Sequence, residues 1–147
     1  MEQENKVQVL ERFDLQTLGD PLTIEEVHAL PSLALAYIGD AVFELYVRRY
    51  LLACGMTNAN RLHKNAVTMV CAESQSHLAH AIEALLTEEE AEVLRRGRNA
   101  KSGHQPPNVK VTDYRLATGL ESLVGYLYLL GRRDRLQVIF EHLFKEA

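Results

Sequence analysis

Two stretches of the chain, LALAYIGDAVFELYV over residues 33–47 and RLATGLESLVGYLYLL over residues 115–130, are apolar on nearly every side of a helix. Neither offers the polar face that a surface helix needs, so each has to be buried in a bundle or at a subunit interface. The remaining sequence has the composition to surround them. Leu occurs 23 times and Ala 15 times in the 147 residues, against 16 for Val plus Ile, which favours helix over sheet and comes close to excluding an all-β domain. A chain of this length hides roughly 70% of its unfolded surface, enough for one core without disulfide or metal staples. A single all-α domain is expected.

The punctuation of the chain divides it into helices. Residues 1–20 show no clean period and read as a loosely ordered N-terminal extension, with the folded domain over 21–147. Thr23 followed by Glu26 is a capping box, opening a short helix that Pro31 must end. A long helix is predicted over about 32–53, and a second helical region over about 57–86, bent near Cys71–Ser74. Thr87 with Glu90 is another capping box, and its helix runs to about Gly97. The segment from Arg98 to Asn108, rich in Gly, Ser, Asn and Pro, makes the main loop. Helices over about 111–130 and 132–145 complete the chain.

No apolar run reaches the length of a membrane span, and Glu2 and Glu4 stand where a signal peptide needs positive charge, so a cytoplasmic protein without membrane association is expected. Cys54 and Cys71 are too few and too far apart for a disulfide framework and read as free thiols. Cys71, His77 and His80 are metal-ligating residue types, but Cys71 is too distant on the helix to form a compact site with the two histidines.

The net charge of −4 argues against indiscriminate nucleic-acid binding, yet it is unevenly distributed. Residues 1–26 carry seven acids and two bases, whereas residues 93–112 carry Arg95, Arg96, Arg98, Lys101 and Lys110 with no acid. A confined basic segment of this kind is either a solvated loop or a contact for a polyanion. Two acids stand out for the opposite reason. Asp40 and Glu121 lie within the two most apolar helices, and neither has a base three or four residues away. Burying an unpaired carboxylate is costly, so each must face water, meet a distant base, or share a cation such as magnesium. Glu44 and Asp113 differ from them, because Arg48 at i+4 and Lys110 at i−3 supply local partners.

The sequence AYIGDAVFE over residues 36–44 resembles the signature helix of ribonuclease III, and ESLVGYL over 121–127 resembles the family's second acidic helix. LALAYIGDAVFELYVR, LRRGRNAKSG and YRLATGLESLVGYLYL, in that order, resemble more narrowly the Mini-III branch, which consists of the nuclease domain without a double-stranded-RNA-binding domain. The resemblance spans about residues 31–130. It implies an all-α endoribonuclease, acting as a homodimer on double-stranded RNA and leaving 5′-phosphate and 3′-hydroxyl ends. The implied cofactor is Mg2+, for which Mn2+ can substitute, with Asp40 and Glu121 as catalytic metal ligands. Arg95, Arg96, Arg98 and Lys101 are the expected RNA contacts. The Mini-III branch further implies the paired ends of the 23S ribosomal RNA precursor as substrate, with ribosomal proteins on that precursor as further partners. The apolar 37–52 helix fits a dimer surface. The sequence also departs from the family pattern: full-length ribonuclease III carries acids where this chain has Ala36 and Thr118. That loss leaves a second reading open, a ribonuclease III-like RNA-binding or ribosome-associated structural protein.

Overall fold

The computed structural model describes residues 16–103 and 105–146, so the expected extension over residues 1–20 falls largely outside the described residues. Among those described there are helices and turns and no strand. The elements are α1 (Ile24–His28), α2 (Ser32–Ala53), α3 (Ala59–Val70), α4 (Ala72–Ile82), a 3-10 turn (Glu83–Leu85), α5 (Glu88–Asn99), α6 (Val111–Leu129) and α7 (Arg133–Glu146). Both capping boxes form, with the Thr23 and Thr87 hydroxyls accepting from the backbone N–H groups of Glu26 and Glu90. Among the described residues no helix is long and apolar enough to cross a membrane.

The two apolar helices, α2 and α6, cross at the centre, and the other helices pack around them. Val42, Phe43 and Val47 of α2 meet Leu120, Leu123, Val124 and Leu127 of α6 in one buried cluster. The aromatic ring of Phe140 on α7 closes it, 5.1 Å from the ring of Phe43 and edge-on to Tyr46.

Glycine decides how closely the central helices approach. A Cβ on Gly39 of α2 would lie 1.7 Å from the carbonyl oxygen of Glu121, and one on Gly125 of α6 would lie 2.0 Å from that of Leu35. Main chain therefore packs on main chain at this crossing. The α5–α6 crossing follows the same rule, since a Cβ on Gly119 would lie 2.6 Å from the carbonyl oxygen of Leu94.

The region over 57–86 is not one bent helix. Cys71 adopts an extended conformation that ends α3 and begins α4. The Ser74 hydroxyl donates to the carbonyl of Thr68, and the Cys71 thiol turns toward the same group. Short polar side chains that bond nearby backbone in this way compete with helix continuation.

Helix α5 also runs further than its sequence suggests, to Asn99, so Arg95, Arg96 and Arg98 are helical and only Lys101 of the predicted basic contacts lies in the loop. One buried charge ties α5 to α7. Glu90 is 2% exposed, and Arg135 grips both its oxygens at 2.7 and 2.8 Å. Burial alone would raise the Glu90 pKa, but Arg135 and Thr87 bring it below the ordinary value.

The glycine crossings predict a sharp contrast between substitutions. Gly39→Ala and Gly125→Ala must push two backbones apart and are expected to cost about 3 kcal/mol or more. Gly103→Ala, which meets nothing within 4 Å, should stay within about 0.5 kcal/mol of the parent. Guanidinium unfolding of the three variants checks this, and equal losses would contradict it.

Candidate active site

The close crossing of α2 and α6 sets the neighbourhood of the two unpaired acids. Gly39 packs on the carbonyl of Glu121, so Asp40, the next residue, is brought beside the Glu121 side chain. Asp40 is exposed at the rim, while Glu121 sits deeper. Among the described residues neither forms an ion pair, and Arg48, the base nearest to Asp40 in the sequence, bonds Glu44 at 3.1 Å. The local partner expected for Asp113 is absent, because no ion pair joins it to Lys110 among the described residues.

The electrostatics of the pair follow from this placement. Burial, and then the negative charge of Glu44, raise the pKa of Asp40. Burial, and then the charge of Asp40, push Glu121 up to about 7. Asp40 thus ionises first, and its charge holds the proton on Glu121, as expected for two carboxylates sharing a site. Gln75 of α4, 2% exposed, lies beside Glu121 and partly offsets the rise. Its Nε2 meets no protein acceptor at normal hydrogen-bond geometry. Gln75 has no distinguishing signal in the sequence, where it is one polar residue among several in AESQSHLAH.

The residues one turn away supply no further charge. Ala36 is buried and without a donor atom, and the Thr118 hydroxyl donates to the carbonyl of Tyr114 at 3.0 Å. Among the described residues no group of three or more His, Cys, Asp or Glu could hold a metal ion, which includes Cys71, His77 and His80. The arrangement is a pair of neighbouring carboxylates beside a buried amide whose Nε2 has no partner among the described residues. This suits a hard cation that accepts one or two carboxylates and keeps several waters.

The basic side is divided by one acid. Glu92 receives Arg95 at 2.7 and 2.9 Å and Arg96 at 3.0 Å, and these two arginines hold its pKa down at about 2. Glu92 stands just outside the acid-free stretch, which is why the sequence window overstated the free charge. Arg98 and Lys101 are exposed and form no ion pair among the described residues.

The helical architecture is that of a ribonuclease III domain. The profile of that domain matches residues 33–132. A Mini-ribonuclease 3 of Clostridium tetani is 41% identical over 134 residues, 88% of this chain and 89% of that protein. One of Enterococcus faecalis is 47% identical over 120 residues, 80% of this chain and 91% of the relative. A crystal structure of a Fusobacterium nucleatum protein superposes with a TM-score of 0.73 at 33% identity, covering 78% of this chain and 93% of that one. The chain belongs to the ribonuclease III family, in its Mini-ribonuclease 3 branch, and is an endoribonuclease of that type.

The raised Glu121 pKa gives a signed pH dependence. The folded protein holds this proton more tightly than the unfolded chain, so in EDTA its stability is greatest below the ordinary value of 4.5 and falls as pH rises through about 7. The loss is on the order of 3 kcal/mol at about 1.4 kcal/mol per pH unit. Glu121→Gln should flatten this part of the profile, and Asp40→Asn should raise the melting temperature in EDTA near neutral pH. Melting curves between about pH 4 and about pH 8 test both. A destabilised Asp40→Asn in EDTA would instead mean that Asp40 neutralises a buried base.

Proposed function

We propose that this ribonuclease III-type enzyme is magnesium-dependent, cleaves both strands of duplex RNA as a homodimer, and matures the paired ends of 23S ribosomal RNA precursor in the cytoplasm. The observation that carries the metal dependence is the Asp40–Glu121 pair, two adjacent carboxylates without a cationic partner among the described residues. Asp40 and Glu121 would hold Mg2+, or Mn2+ in its place, and the bound ion would supply Lewis-acid charge at the scissile phosphate. Binding a cation would draw the proton from Glu121 and restore both charges. Gln75, beside Glu121, would orient the ionised carboxylate by turning its Nε2 to donate to it.

The dimer reading rests on one face of α2. Tyr37 is 80% exposed, Leu45 53% and Leu52 57%, and with Ala41 they form an apolar stripe at helical spacing. A partner covering this stripe would set two carboxylate sites on one face of the assembly. Duplex RNA is recognised through phosphate and 2′-hydroxyl contacts, which suits Arg98 and Lys101. Arg95 and Arg96 would join them by exchanging Glu92 for phosphate. The precursor substrate, and ribosomal proteins bound to it, are supported by kinship with the Mini-ribonuclease 3 proteins.

Two outcomes are expected. The wild type should cut long duplex RNA in Mg2+, spare single strands and stop in EDTA, while Asp40→Asn and Glu121→Gln each lose at least about 100-fold in rate. A duplex left intact across a range of Mg2+ and Mn2+ would overturn the metal-dependent reading. Glu92→Gln should tighten duplex binding and steepen its salt dependence by roughly 0.7 to 0.9 for each arginine released. An unchanged slope would remove Arg95 and Arg96 from the RNA contacts.

A further inference from the structure

Two clefts, of about 510 and about 300 Å3, share the residues Arg98, Asn99 and Arg115. The first reaches Lys101 in the loop and Thr118 on α6; the second reaches His80 on α4 and contains one acid, Asp113. The α5–α6 crossing creates this meeting. Gly119 lets the backbone of α5 approach so closely that an added Cβ would lie 3.1 Å from the amide nitrogen of Arg98. Arg98 is thereby brought to the side of α6 on which Arg115 projects. The loop is tied to the same place, because the Ser102 and Tyr114 hydroxyls lie 3.1 Å apart.

The two guanidinium groups differ from the arginines that a carboxylate neutralises. Arg48, Arg95, Arg96, Arg132 and Arg135 are each held by a glutamate. Arg98 and Arg115 are exposed and form no ion pair among the described residues, and the Arg98 side chain makes a long bond, 3.4 Å, to the neutral Asn99. Two unpaired cations lining common clefts repel each other, and an oxyanion between them would remove that repulsion while using the fork geometry of both. Their position gives the oxyanion an identity. Arg115, Thr118 and Glu121 follow one another at i, i+3 and i+6 along α6, which puts Arg115 about 9 Å along the helix axis from the carboxylate pair.

We propose that Arg98 and Arg115 form a phosphodiester clamp that holds the RNA strand beside the Asp40–Glu121 site, a few nucleotides from the bond that is cut. The proposal rests on the reading of Asp40 and Glu121 as the cleavage site. Arg115 is a positioning residue: it acts on where the strand lies and carries no proton or bond change.

The test compares Arg98→Gln, Arg115→Gln, the double variant and Arg115→Lys with Arg133→Gln as an exposed arginine outside the clefts. Steady-state cleavage of a long RNA duplex in Mg2+ is expected to show KM raised about tenfold for each clamp variant with kcat within about twofold. The salt slope should flatten by roughly 0.7 to 0.9 per lost charge, and Arg115→Lys should recover the slope. The double variant should lose less than the product of the single losses, because both side chains serve one phosphate. Unchanged KM and slope, losses matched by Arg133→Gln, or full multiplicativity would each overturn the clamp. Fluorescence anisotropy of the duplex in EDTA separates the two readings: if the wild type binds but never cuts, the cleavage reading fails, and the clamp stands or falls on whether Arg115→Gln weakens that binding.

Discussion

The backbone-to-backbone approach of α2 and α6 at Gly39 and Gly125 governs the rest of the molecule. Side chains of ordinary size at these positions would separate the helices, and with them Asp40 and Glu121. The close approach carries a cost, because it buries carboxylates that have no base beside them, and this cost appears as the raised pKa of both acids. The surrounding apolar cluster, from Phe43 and Val47 to Leu123 and Leu127, holds the crossing closed against that repulsion.

Much of this was legible in the sequence. The capping boxes at Thr23 and Thr87 and the uniform apolarity of α2 and α6 located the helices, because caps and periodicity act within a turn or two of the residue that carries them. Asp40 and Glu121 were conspicuous because an unpaired acid in an apolar helix violates a local rule. What the sequence concealed depends on residues distant along the chain. Gln75 reaches Glu121 from 46 positions away, and Arg135 neutralises Glu90 across 45. The bend expected near Cys71–Ser74 is a full break, because hydroxyl and thiol groups there turn back on their own backbone. The free charge on the basic side is smaller than the acid-free stretch 93–112 implies, because Glu92 immediately precedes it and pairs with Arg95 and Arg96.

The far end of α6 carries a second polar assembly that braces the helix. The Tyr126 hydroxyl donates to Glu89, which also receives Arg132 at 3.1 Å, and the ring nitrogen of His28 lies 3.3 Å from the same hydroxyl. Burial, together with the bond to Glu89, pushes Tyr126 up to about 12, so the phenol keeps its proton. Short α1, the start of α5 and the turn before α7 are thus fastened to one residue, the one that follows Gly125. The crossing is fixed on both sides, by apolar packing before Gly125 and by this network after it.

The way Gly39 meets Glu121 separates two duties that usually fall on one side chain. The packing partner of Gly39 is the carbonyl oxygen of Glu121, an atom that every amino acid supplies, while the carboxylate extends beyond the crossing. Shape is therefore written in the main chain and chemistry in the side chain of the same residue. An exchange at position 121 can silence the carboxylate without disturbing the geometry around it, so a protein altered there keeps the surface that meets its substrate. With Glu121 as the proposed metal ligand, such a variant would capture uncut RNA in place.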